Sequence, residues 1–120
     1  MLSMNQIFSV CARRSPTYSW WGDLDGSIAE NSRNPGDGTY AIRIRGYQEP
    51  DEELSNLSAA DLERRSICGA TLLEVLLWEL KRQDAIGITP VYTKNATLCI
   101  GSRDSSGRVP YVDRCSTELC

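Results

Sequence analysis

The stretch "TLLEVLLWELKRQDAI", Thr71 to Ile86, constrains the fold of this chain more than any other. Thr71 followed by Glu74 has the capping-box spacing that starts a helix, and Gly87 supplies a stop after about Ala85. At ~100° per residue, Leu72, Leu73, Leu76, Leu77 and Leu80 fall within an arc of roughly 140°, with Glu74, Lys81 and Arg82 opposite. Burying five such side chains contributes something like 7 to 15 kcal/mol before chain entropy is counted, at ~1.5 to 3 per side chain. This helix is expected to organise the core. Trp78 projects to its polar side, near Glu74 and Arg82.

The rest of the chain reads as strands and turns around that helix. Ser58 and Asp61 repeat the capping-box spacing and predict a short helix ending near Cys68-Gly69. "TYSWWGDL" at 17–24 reads as a strand, and "SIAENS" at 27–32 as its partner across Asp25-Gly26. "NPGDG" at 34–38 is a turn. "TYAIRIRGY" at 39–47 alternates, with Tyr40, Ile42 and Ile44 on one face and Ala41, Arg43, Arg45 and Tyr47 on the other, the clearest strand signal in the chain. "ITPVYT" and "ATLCIGS" form a candidate hairpin across Lys94-Asn95, and "RVPYVD" at 108–113 a last strand held to an edge by Pro110. The expectation is α+β: a small antiparallel sheet with the short helix and one long amphipathic helix packed on one face. Residues 1–120 form one domain in this reading, with ends frayed over about 1–5 and 115–120.

Composition limits the function classes. With 41% hydrophobic and 24% charged residues the chain suits a folded soluble domain, and its longest apolar run, Leu72 to Leu77, is interrupted by Glu74. The apolar stretch near the N-terminus has no positive charge before it, the reverse of a secretory signal, so a cytoplasmic location is expected. A net charge of −3 argues against nucleic acid as a partner. Five cysteines at irregular spacing point to reduced thiols. The chain contains no His, which removes Ser-His and Cys-His catalysis and the common zinc sets; Cys115 and Cys120 are the only close cysteine pair, and neither metal nor cofactor is expected.

One motif invites an enzymatic reading. "WWGDLDGS", Trp20 to Ser27, resembles the first motif of the haloacid-dehalogenase-like phosphatases, an apolar strand followed by Asp-x-Asp-Gly-Thr. The resemblance implies Asp23 as the nucleophile on phosphorus, Asp25 as general acid and base, both beside Mg²⁺, with Ser27 in place of the Thr. Turn chemistry offers the other reading, since Asp25-Gly26 between two strands is a strong hairpin signal, and this reading is preferred.

Three further groups are candidates for contact. Arg43 and Arg45 share a strand face and suit a bidentate grip on a carboxylate or phosphate, or simple exposure beside acidic neighbours. The loop "GSRDSSGR" at 101–108 brings Arg103 and Arg108 together with amides that suit an anion, or is an ordinary loop. Trp20, Trp21 and Trp78 are candidate interface aromatics. The expected function is a non-catalytic protein-interaction or regulatory module that binds a protein partner or itself. The alternatives are the Mg²⁺-dependent phosphatase and a domain that binds a small anionic ligand.

Overall fold

The computed structural model describes residues 3–14, 22–43, 54, 56–86 and 97–112. The fold is α+β, as expected. Its helices are α1 (Met4–Arg14), α2 (Leu24–Ser27), α3 (Ala59–Arg64) and α4 (Leu72–Ile86), with a 3-10 turn at Pro35–Asp37. Its strands are β1 (Ile28–Asn31), β2 (Thr97–Leu98), β3 (Ser102–Asp104) and β4 (Tyr111–Val112). Pairing is antiparallel and falls into separate ladders, β1 with β3 and β2 with β4. A bulge between Ile28 and Glu30 shifts the first ladder, so that Ile28 faces Asp104 and Asn31 faces Ser102.

Both capping boxes form. Ser58 Oγ accepts from the Asp61 amide at 3.1 Å while Asp61 accepts from the Ser58 amide at 3.0 Å, and α3 follows. It is shorter than expected, ending at Arg64 and not near Cys68-Gly69, because Ser66 turns left-handed (φ 56°) and the Ser66 and Ile67 amides bond back to Glu63 and Leu62. At Thr71 the reciprocal bonds measure 3.0 and 3.3 Å, and α4 follows.

The buried side of α4 is turned from the expected leucine arc. Leu72 and Leu76 are buried and Leu73 and Leu80 pack partly against the core, but Leu77 is 44% exposed. Val75, Glu79 and Arg82 are buried in its place. The reason is a helix missed in the sequence reading: α1, which overlaps the stretch expected to be frayed only at Met4 and Asn5, packs along α4 and brings Met4 and Ile7 into one cluster with Leu72, Val75 and Leu76. Glu79 and Arg82 face inward as an ion pair with an N···O distance of 2.7 Å.

The strands differ from the expected pattern where the described residues report on it. "SIAENS" contains the strand β1, which pairs with β3; Asp23 caps α2 and Asp25-Gly26 lies inside that helical turn, not in a hairpin, while most of the expected partner strand at 17–24 lies outside the described residues. Thr97–Leu98 pairs with Tyr111–Val112, and the expected hairpin partner at 88–93 lies outside the described residues. Thr39 to Arg43 joins no ladder, and 44–47 lie outside the described residues.

The core closes where three distant segments cross. The Ser32 amide donates to the Gly101 carbonyl at 2.7 Å and the Gly101 amide to the Ala70 carbonyl at 2.9 Å. Neither glycine at the crossing has room for a side chain: a Cβ at Gly69 would sit 1.9 Å from Ile100 Cγ1, and one at Gly101 2.8 Å from the Gly69 oxygen. Gly69→Ala is therefore expected to cost about 1 to 3 kcal/mol in urea unfolding, the usual cost of overpacking. Adding Ile100→Ala should restore part of it, because the obstacle is a side chain; the same addition should not rescue Gly101→Ala, whose obstacle is backbone.

Candidate functional site

The two aspartates of the phosphatase-like motif lie at helix N-termini. Ser3 begins α1 with a capping box, its Oγ accepting from the Gln6 amide at 3.2 Å and its amide donating to Gln6 Oε1 at 2.8 Å. That leaves the Met4 and Asn5 amides, and both are taken by the Asp25 carboxylate, at 3.0 and 3.2 Å. An anion from elsewhere in the chain thus satisfies open donors at the positive end of the helix. Asp23 does the same for α2, accepting from the Gly26 amide at 3.1 Å and from Asn5 Nδ2 at 2.7 Å, while Asn5 Oδ1 accepts from the Leu24 amide at 2.7 Å. The Asn5 side chain and the Gly26 amide hold the Asp23 carboxyl below the usual carboxylate range.

A second polar cluster surrounds the start of α4. Glu74 is 4% exposed, and its carboxylate accepts from Arg33 Nε at 2.9 Å and Arg33 Nη2 at 2.6 Å, a bidentate pair. It also accepts from the Tyr40 hydroxyl at 2.9 Å and the Thr71 amide. Arg33 Nη2 also donates to the Gly69 carbonyl at 2.8 Å. On the other side of the helix end, buried Ser102 accepts from the Leu72 amide at 2.9 Å and donates to Asn31 Oδ1 at 2.6 Å. Burial pushes the Glu74 carboxyl up, but the hydrogen bonds from Arg33, Thr71 and Tyr40 outweigh it and hold the group below its ordinary value of 4.5. Burial, and then the bond to Glu74, raise the Tyr40 phenol, while Glu74 raises the Arg33 guanidinium.

Between these clusters lies a cleft of about 310 Å³, lined by Met4, Leu73 and Pro35 with Asp25 and Arg33 at its wall. The two charged groups are already engaged, Asp25 by the α1 amides and Arg33 by Glu74.

The other expected site residues are dispersed. Arg43 is exposed; Arg45, Trp20 and Trp21 lie outside the described residues; Trp78 is half-buried on α4. Arg103 donates to the Ile100 and Ser102 carbonyls at 2.6 and 2.8 Å and contacts Glu63. Arg108 Nε donates to buried Asp104 at 2.8 Å, and the Ser106 and Arg108 amides turn to the same carboxylate. The anion that the 101–108 loop suits is thus the chain's own Asp104, held low chiefly by the Arg108 amide. Among the described residues no three His, Cys, Asp or Glu side chains converge as metal ligands, and no helix is long and apolar enough to cross a membrane. Cys99 is fully buried, its thiol pushed up to about 12 by desolvation, so it is unreactive.

The residues missed from sequence are Ser3, Asn5, Asn31, Arg33 and Ser102. Ser3-x-x-Gln6 is itself a legible capping box. Arg33 and Ser102 carry no local signal, since their partners are 41 and 30 residues away. No family model, curated protein or solved structure matches the chain.

Because the Glu74 carboxyl titrates lower folded than unfolded, its contribution to stability is complete above the unfolded value and is lost as pH falls through the folded one. Unfolding free energy is expected to decline on acidification below about 4.5, the ordinary glutamate value. Glu74→Gln should flatten that decline and cost about 1 to 3 kcal/mol at neutral pH, as measured by urea titrations across the acid range.

Proposed function

We propose that the chain is a small cytoplasmic, non-catalytic module that binds a protein partner or a second copy of itself. One observation carries this reading: charged side chains are turned inward while large apolar ones are turned out. Glu74, Glu79, Arg82 and Asp104 are buried, whereas Ile42, Leu98 and Tyr111 are 41%, 39% and 53% exposed. Leu98 and Tyr111 face each other in register on one side of the β2–β4 ribbon, and Val112 is buried on the other. A paired aromatic and aliphatic residue on an open ribbon resembles the anchors that dominate protein interfaces. Arg43 stands exposed for the rim of such a contact, and Trp20, Trp21, Trp78 and Arg45 remain candidates for it. Arg103 and Arg108 are drawn instead toward their own chain.

The phosphatase alternative is less well supported, because both of its carboxylates already serve as helix caps. Anion binding loses Arg103 and Arg108 in the same way.

Leu98→Ser with Tyr111→Ser should leave helicity unchanged and stability within about 1 kcal/mol, since exposed positions tolerate change. It should abolish capture of a partner that the unaltered chain retains from cell extract; equal capture by both would reject this surface. Phosphate release from a generic aryl phosphate with Mg²⁺ should stay at background. A turnover that disappears in Asp23→Asn would instead establish the phosphatase.

A further inference from the structure

Thr39 to Arg43 has the alternation of a strand and the environment of none. Among the described residues, no backbone amide or carbonyl from 39 to 43 makes a hydrogen bond, and all of these residues are exposed. One side-chain contact fixes the segment, the Tyr40 hydroxyl to Glu74. Tyr40 and Ile42 share a side of the alternation and remain 36% and 41% exposed. A segment with strand-forming residues, open main-chain donors and acceptors and a half-covered apolar side is a template for another strand.

We propose that residues 39–43 pair antiparallel with the same segment of a second copy of this chain, about a two-fold axis at Ala41. This rests on the self-association arm of the protein-interaction reading above and gives it a surface apart from the Leu98 and Tyr111 ribbon. The register favours a second copy. About Ala41, Tyr40 of each copy lies opposite Ile42 of the other, an aromatic with a β-branched neighbour, which is a stabilising cross-strand pair. The same register sets Arg43 opposite Thr39 and keeps the guanidiniums apart; an axis at Arg43 would place like charges face to face. Ala41, with the smallest side chain of the five, sits at the axis. With Ala41 as a hydrogen-bonded pair, the donors and acceptors of 39, 41 and 43 turn to the partner, and Tyr40 and Ile42 take the closer non-hydrogen-bonded positions. The contact is isologous, so it closes at two copies.

So short a ladder associates weakly, and the test is a concentration series on the full chain. Sedimentation velocity from micromolar to millimolar protein should show the mass doubling, with hydrogen exchange at the 39–43 amides slowing in parallel. Ile42→Lys, at an exposed position, should keep the thermal midpoint and weaken association about tenfold or more, as loss of an interface anchor does. Ala41→Cys, with Cys68, Cys115 and Cys120 changed to serine, should form a dimer disulfide under mild oxidation, because paired Cα atoms ~5.5 Å apart lie within disulfide reach. A monomer at every concentration overturns the proposal. A dimer whose 39–43 amides stay fast and whose Ala41→Cys form does not cross-link also overturns it, but leaves the interaction reading standing, since that reading is judged separately at Leu98 and Tyr111.

Discussion

Glu74 is the residue on which the arrangement turns. A carboxylate 4% exposed is costly to bury unless every approach to it is occupied by a donor, and here the guanidinium, the phenol and a helix amide surround it. Those donors come from residues 33, 40 and 71, so one buried charge draws the N-terminal half of the chain onto the start of α4. Ser102, held by Asn31, draws in the C-terminal half at the same helix end. Apolar packing of α1 on α4 supplies the core, but it is non-directional. The polar contacts at the helix end fix which segments meet, and in which register.

The same principle recurs at α1, where Asp25 sits on two open amides. Among the described residues, five carboxylates act as counter-charges to helix ends and turns: Asp25 at α1, Asp23 at α2, Asp61 at α3, Glu74 at α4 and Asp104 at the 104–108 turn. This explains how a segment with the composition of a phosphoryl-transfer motif serves here as a pair of caps. Asp and Gly at short spacing suit a nucleophile beside a metal, and they equally suit a tight helical turn.

The sequence was most legible where the physics is local. The boxes at Ser58 and Thr71 place α3 and α4 because both members of each pair lie within one turn, and the strand characters of 28–31 and 111–112 follow from residue type. Pairing was not legible, because β1 finds β3 across more than 70 residues and nothing in Ile28 to Asn31 specifies that partner. The buried face of α4 was not legible because Glu79 and Arg82 read as polar positions in the sequence, whereas in the fold they neutralise each other and turn inward. Arg33, which completes the cluster at Glu74, sits in an otherwise polar loop and is indistinguishable from a solvated cation until the fold is known.

The crossing of Ser32, Gly69-Ala70 and Ile100-Gly101 has a consequence for how the chain reaches this state. Its hydrogen bonds join segments separated by tens of residues, so their loop-closure entropy must be met before they stabilise anything. During synthesis α4 emerges well before Ser102 and Gly101, and until they arrive its first amide lacks a partner and the crossing lacks its third strand of chain. The helix that dominates the sequence is thus completed only after most of the chain has emerged, and loss of Ile100 to Ser102 would undo the beginning of α4 as surely as the ladder they lead into.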